Sequence, residues 1–446
     1  MKKLNLKEIK NKILHNRILN NLIIMLTGDT LVSLIGIVNL SLALWTVGLE
    51  GNGIIVMIQT YCVMFSDIFN FQSFNALIKF LPIYIQENDS VKCKKVIKQA
   101  LTLDISTAII ATLVGYACIY PISKIMGWDS TVILYLNIYM VTVIFNINGT
   151  SVGILRIFNK FNLTTYTAII TALFKLFFYF VGFFLKFNFI YFLMVEITLE
   201  IIRNILQLIF AYRVLKEQQL NDFYKYNFKF EKEFLVFSFY SNIVSTLDIP
   251  VKYLTTFVIN KYLGFNEISI YKIFQKIGTI IEKVGVPLSQ IVYPEMSKMI
   301  AKREYENAFK LNRKLMKLLL LGGIVVLAAT GLTYKLWLRL FISDYNLYIN
   351  QLIAYLLVIV IAYSAIGIHS IFMALGYIKY NLPILLFVNS TYLILLFFGV
   401  KNYELIGVIF SLLLQTVMVI SIKIIILKRN DYSIFEFKKL SMSKKE

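Results

Sequence analysis

Twelve stretches of mostly apolar residues follow one another between residues 21 and 427, separated by short polar turns. Their approximate extents are 21–47, 53–81, 99–120, 131–153, 163–185, 188–212, 235–258, 266–293, 313–335, 350–375, 381–399 and 404–427. At about 1.5 Å of rise per residue, a helix of roughly 20 residues crosses a hydrocarbon core about 30 Å thick. The runs are continuously apolar and do not alternate with period two, which excludes a β-barrel. The chain is therefore predicted to be an all-α polytopic membrane protein.

The net charge of +20 is spread over the turns and does not form a patch, so it does not indicate a nucleic-acid partner. About 31 of the 45 Lys and Arg residues precede segment 1, follow an even-numbered segment or lie in the tail, and about six lie on the opposite side. Positive-inside bias then places both termini in the cytoplasm of a cell (inner) membrane. The start, with Leu4, Ile9, Ile13 and Leu14 interleaved with Lys7, Lys10 and Lys12, reads as a surface-lying amphipathic helix before a retained first span. Three cysteines without paired spacing (Cys62, Cys93, Cys118) and two histidines (His15, His369) predict no metal site, no disulfide framework and no histidine-based catalysis. No Gly-rich nucleotide loop occurs, and no cofactor is implied.

Charges inside the spans carry the most information, because a lysine at mid-bilayer costs about 2.5–3.5 kcal/mol and must face protein, water or an anion. Segment 8 holds Lys272, Lys276 and Lys283; the second and third lie about 40° and 20° around the helix from the first, so all three share one face. Lys252 on segment 7 and Lys175 on segment 5 reach similar depth. Ammonium groups suit phosphate oxygens in a low-dielectric surround, which makes Lys272, Lys276, Lys252 and Lys175 candidate pyrophosphate ligands. The alternative is internal pairing, as between Asp248 and Lys252 four residues on, or snorkelling by Lys283. Glu196, Glu200 and Arg203 share a face of segment 6, with Glu200 and Arg203 spaced to pair. Asp29, Asp67 and Asp248 are candidates for coupling to protons or another ion. Asp104 is expected at a solvated cytoplasmic edge, and His369 as a hydrogen-bonded packing residue.

The polar loop between residues 213 and 234 divides the segments six and six, giving an N-terminal lobe (1–212), a linker (213–234), a C-terminal lobe (235–427) and a tail (428–446). The halves repeat in sequence: Gly48, Gly53, Ile54 and Gln59 after segment 1 align without a gap on Gly264, Ser269, Ile270 and Gln275 after segment 7. Pro82 and Pro294 end the following segments.

With the Gly48–Gly53 turn, Gly153-Ile154-Leu155-Arg156, Leu247-Asp248, the run from Pro287 to Glu295 and Leu375-Gly376, the chain resembles the Wzx-type polysaccharide flippases. These form a branch of the multidrug/oligosaccharidyl-lipid/polysaccharide exporter superfamily. Lys252 stands near the segment 7 aspartate, where members often carry arginine. The resemblance implies two pseudo-symmetric six-helix lobes around a central cavity. It also implies translocation of an undecaprenyl-pyrophosphate-linked oligosaccharide, such as an O-antigen or capsule unit, to the outer leaflet by alternating access. Membrane lipid, a polysaccharide polymerase and export machinery are the implied partners. Two other readings compete. A multidrug exporter of the same superfamily would need an acidic or aromatic pocket, and a membrane sugar polymerase or acyltransferase would need a long outer loop or a positioned base. The chain is accordingly expected not to be an enzyme.

Overall fold

A computed structural model describes residues 17–227, 229–342 and 345–429, with side chains other than those of 17–27, 29, 284–291 and 345. The amphipathic start, the Asp29 side chain, part of the Pro287 motif and the tail beyond 429 lie outside the described residues. Every regular element among the described residues is helical.

In unit 1 (Met1–Thr246) the helices are α1 Arg17–Phe69, α2 Ser73–Gln86, α3 Ser90–Met126, α4 Ser130–Tyr139, α5 Val141–Ile144, α6 Gly149–Ile157, α7 Phe161–Phe184, α8 Phe189–Glu217 and α9 Lys232–Thr246. Unit 2 (Leu247–Glu446) begins with a π turn at Pro250–Leu254. It continues with α10 Thr255–Leu263, α11 Phe265–Ala301, α12 Tyr305–Trp337, α13 Tyr345–Ser364, α14 Ile366–Ala374 and α15 Asn381–Arg429.

Among the described residues seven helical stretches are long and apolar enough to span a bilayer, and the pair Lys232–Thr246 and Pro250–Leu263 passes the same test taken together as one broken span. Two of the seven, Thr30–Phe69 and Tyr377–Arg429, have 40 and 53 residues, about twice the length of one crossing, and each is interrupted once by non-helical backbone, at Gly48 and at Glu404. The remaining long helices, α8 and α11, are the ones that carry the Glu196–Arg203 and Lys272–Lys283 charges, which lower their hydropathy. The twelve segments of the sequence are thereby accounted for.

The internal repeat is written in the backbone. Gly48 (φ 73, ψ −179) and Gly264 (φ 94, ψ −172) adopt the same conformation, one essentially reserved for glycine because a Cβ would clash. Other positive-φ residues recur at nearly the same offset: Gly48 and Gly264 lie 216 positions apart, Asn88 and Arg303 215, Asn159 and Gly376 217, and Lys186 and Glu404 218.

The contact boundary falls between Thr246 and Leu247, so the first half of segment 7 packs with unit 1. Phe234 is fully buried there among Leu77, Leu81, Ile97 and Leu215. The Asn242 side-chain amide donates to the carbonyl oxygens of Ile68 (3.1 Å) and Asn70 (2.6 Å), which the end of α1 leaves without helical partners. A second apolar cluster of unit 1 joins Leu42, Ile55, Tyr179 and Phe192, and unit 2 has its own around Met296, Phe309, Ile371 and Val388.

Asp104 is not at a solvated edge: it is 7% exposed. Its carboxylate meets the restart of segment 4, accepting the Thr150 backbone N–H at 2.6 Å and the Thr150 hydroxyl at 2.7 Å. A carboxylate at the first turn of a helix satisfies orphan donors and complements the helix dipole, which lets segment 4 break at 145–148 and resume inside the bundle.

Candidate functional site in the membrane-spanning helices

The α11 helix is continuous from Phe265 to Ala301, so the four- and seven-residue spacings of Lys272, Lys276 and Lys283 keep them on one face. Ile268, Ile270, Tyr271, Ile273 and Phe274 are buried on the neighbouring faces, whereas the three lysines and Thr279 are half-buried. Tyr355 of α13 stacks edge-on to Tyr271 at 5.8 Å, and a Cβ at Gly278 would approach its ring to 3.1 Å, so glycine is what admits the tyrosine so closely. The lysine face is thus carried by a helix anchored firmly on its other side.

Lys252 and Asp248 are both exposed, and among the described ion pairs none joins them. The Lys252 backbone N–H still donates to the Asp248 carbonyl at 2.9 Å, and the π turn at Pro250–Leu254 begins between the two residues.

In unit 1, Lys175 of α7 forms an ion pair with Glu196 of α8, and the Tyr179 hydroxyl donates to the same carboxylate. The Lys175 ammonium also sits 5.2 Å from the Tyr179 ring centre. One turn further along α8, Glu200 and Arg203 form the pair that their spacing predicts. Both pairs line a cavity of about 310 Å³, together with Gln59, Ser66, Tyr139 and Asn146. The Asn146 amide donates to the Ser66 hydroxyl. The sequence assigned Lys175 to an anion and the α8 charges to a separate face; the fold brings all four into one pocket with their charges matched. Ser66, Tyr139 and Asn146 were not singled out in the sequence, because nothing in their local spacing separates them from packing residues. Gln59 was visible only as a repeat match to Gln275.

Asp67 is half-buried near the end of α1, and its backbone carbonyl faces the Asn242 amide at 3.4 Å. Asp67 belongs to unit 1 and Asp248 to unit 2. Among the described residues no group of three or more His, Cys, Asp or Glu side chains converges. A further buried cation escaped the sequence reading: Lys423 of α15 is 6% exposed, with its Nζ 2.8 Å from His369 Nδ1. Its position close to the C-terminal charges hid it among the topology-setting lysines.

The repeat distinguishes charges that the fold requires from those it merely tolerates. At the 216-residue offset, Lys272 and Lys276 correspond to Val56 and Thr60 of unit 1. At the 218-residue offset, Glu196, Glu200 and Arg203 correspond to Leu414, Met418 and Ser421 of unit 2. Each half builds the same helices without the other's charges, so neither set is a requirement of the architecture.

The fold has solved relatives. One is an inward-facing multidrug resistance MATE family transporter of the MOP superfamily, with a TM-score of 0.73 at 14% identity over 91% of this chain and 96% of that one. Another is the lipid II flippase MurJ in an inward closed conformation, with 0.70 at 16% identity over 91% and 87%. A third is a MOP superfamily transporter from Pyrococcus furiosus, described as having a binding pocket of reversed polarity, with 0.61 at 14% over 91% and 94%. No curated protein matches by sequence. Residues 18–300, well over half the chain, match the model of the family described as "Polysaccharide biosynthesis protein". The structural likeness fixes the fold, and by the family-model match the chain belongs to the polysaccharide biosynthesis protein family.

Proposed function

We propose that the protein moves an undecaprenyl-pyrophosphate-linked oligosaccharide from the cytoplasmic to the outer leaflet of the cell membrane by alternating access, both termini being cytoplasmic. The observation that carries this reading is the lysine face of α11, at positions where the other half of the repeat has Val56 and Thr60. Two lysines one turn apart, about 12 and 18 Å along the helix from Gly264, offer two cations to a diphosphate at the depth it must pass. In a low-dielectric surround each contact with a phosphate oxygen exceeds its value in water, yet the anion is never bound covalently, so release needs only a change of access. Lys272 and Lys276 are the principal ligands and exposed Lys252 an auxiliary one. Lys175, already paired with Glu196, holds the pocket of unit 1 and does not compete for phosphate.

The glycan would be a repeat unit of O-antigen, capsule or a similar polymer, handed to a polymerase and export machinery. Asp29, Asp67 and Asp248 are the candidates for ion coupling. The family match to polysaccharide biosynthesis supports a glycan cargo. Multidrug export is the second reading, favoured by the likeness to a MATE transporter. A cationic drug would be repelled by the lysine face, which weighs against it.

The test is charge removal. In proteoliposomes carrying a fluorescent polyprenyl-pyrophosphate glycan, Lys272→Ala with Lys276→Ala should abolish flipping at normal protein levels. Undiminished flipping, or efflux of cationic dyes in place of it, refutes the assignment.

A further inference from the structure

Under the proposed function the cavity of unit 1 is not the pyrophosphate site, and its charged and polar lining is left without a role. Two ion pairs, two amides and the hydroxyls of Ser66, Tyr139 and Thr142 share the lining with apolar Cys62, Val63 and Val143. The Lys175–Glu196 pair is the more buried of the two, and burying an ion pair carries a desolvation cost that the pair's own attraction need not recover. The equivalent positions of unit 2 are Leu414, Met418 and Ser421, so the scaffold does not demand that cost.

The chemistry of the lining selects the occupant. Each carboxylate is matched by a cation, Glu196 by Lys175 and Glu200 by Arg203, so neither an anion nor a cation gains net attraction by entering. An apolar molecule would strip water from amides and charged groups without replacing the lost hydrogen bonds. What fits is a neutral molecule that both donates and accepts around its whole perimeter. Carboxylates accept from its hydroxyls, while the Arg203 guanidinium and the Gln59 and Asn146 amides donate to them. At about 310 Å³ the space lies near the lower end of ligand pockets, which run from roughly 300 to 1,000 Å³, a size that suits one ring.

We infer that this cavity is a subsite for a single neutral pyranose ring, with Glu200 and Arg203 as the residues that read its hydroxyls. The inference rests on the proposed function for regarding that ring as part of a transported glycan. The ion pairs supply strong, directional hydrogen bonds without fixing a net charge, and a neighbouring hydroxyl pattern that leaves one of them unmatched is rejected.

The experiment uses the full chain in lipid nanodiscs and saturation-transfer NMR with methyl glycosides of glucose, galactose, mannose, N-acetylglucosamine and N-acetylgalactosamine. Glucuronate serves as the charged control, and bare undecaprenyl pyrophosphate is measured in parallel. At least one neutral glycoside should bind in the millimolar range, ahead of glucuronate. The charge-balanced double substitution E200Q/R203Q should weaken it by about tenfold while leaving bare pyrophosphate binding unchanged. Asn146→Ala, which removes one donor and keeps both ion pairs, should weaken it less. K272A/K276A should do the reverse, abolishing pyrophosphate binding and sparing the glycoside. No binding of any neutral glycoside, or binding indifferent to both E200Q/R203Q and Asn146→Ala, overturns the subsite. Failure of bare pyrophosphate to bind, with the glycoside response intact, strikes the lysine assignment instead.

Discussion

The Asp104 carboxylate accepts both the backbone N–H and the hydroxyl of Thr150, and it does so inside a bundle where water does not compensate. This contact ties α3 to the first turn of α6, at the point where segment 4 resumes after its break. Gly149 completes the junction: a Cβ there would come within 2.5 Å of Ser73 Oγ and 3.0 Å of the Asp104 carboxylate.

Removing that carboxylate should therefore cost stability and not specificity. Asp104→Ala leaves two buried donors unmet, at about 1–3 kcal/mol each, while Asp104→Asn keeps one acceptor and should lose less. The apparent Tm in detergent, measured for both variants, checks the order; equal Tm values for Ala and wild type would contradict it.

The two repeat-related glycines carry a conformational demand. Gly48→Ala and Gly264→Ala place a Cβ in a backbone region that costs of the order of 1–3 kcal/mol for other residues, although neither position is sterically crowded. Both should lower the Tm by similar amounts. An unchanged Tm in either would mean that the turn relaxes freely.

Lys94 and Asp222 tie the loop after α8 to α3 at 2.7 Å. The hydrogen bond from Lys94 holds the Asp222 carboxyl below its ordinary value. A depressed carboxylate contributes stability that is fully present above its unfolded value, about 3.9, and is lost as the pH falls through the lower folded value. Asp222→Asn should thus be less stable than wild type at pH 6 and converge with it in strong acid. A gap that persists at the acid end would rule out this linkage. Because the Asp222 side chain is 34% exposed, the effect is small and diminishes with salt.

Charge on the lysine face should matter through its sign. Lys272→Arg and Lys276→Arg keep a cation and should retain partial flipping, whereas Lys272→Gln with Lys276→Gln should lose it; each charge-assisted bond forfeited corresponds to about tenfold or more in affinity. Initial flipping rates against lipid concentration separate binding from turnover. Equal rates for the Gln and Arg pairs would show that charge is irrelevant there.

For ion coupling, Asp248→Asn removes an exposed intramembrane carboxylate of unit 2 without disturbing a described ion pair. It should flatten the dependence of flipping on an imposed pH or sodium gradient while leaving downhill exchange intact. An unaltered gradient response excludes this residue from coupling.

What the sequence determined by itself were the features set by local spacing. Continuous apolar runs fix the helices; Gly48 and Gly264 mark the repeat because only glycine takes their φ and ψ; Glu200 and Arg203 find each other three residues apart; and the Lys272–Lys283 face follows from helical geometry alone. Tertiary structure decided whatever depends on neighbours distant along the chain. The buried Asp104–Thr150 junction spans 46 positions, Asn242 reaches back to the end of α1, and Lys175 meets Glu196 across two helices. An isolated charge in a sequence has no assigned partner, and in a bilayer the partner determines whether that charge is a ligand, a cap or half of a neutral pair. That choice is made by packing, because only packing sets which groups share the same small volume of low dielectric.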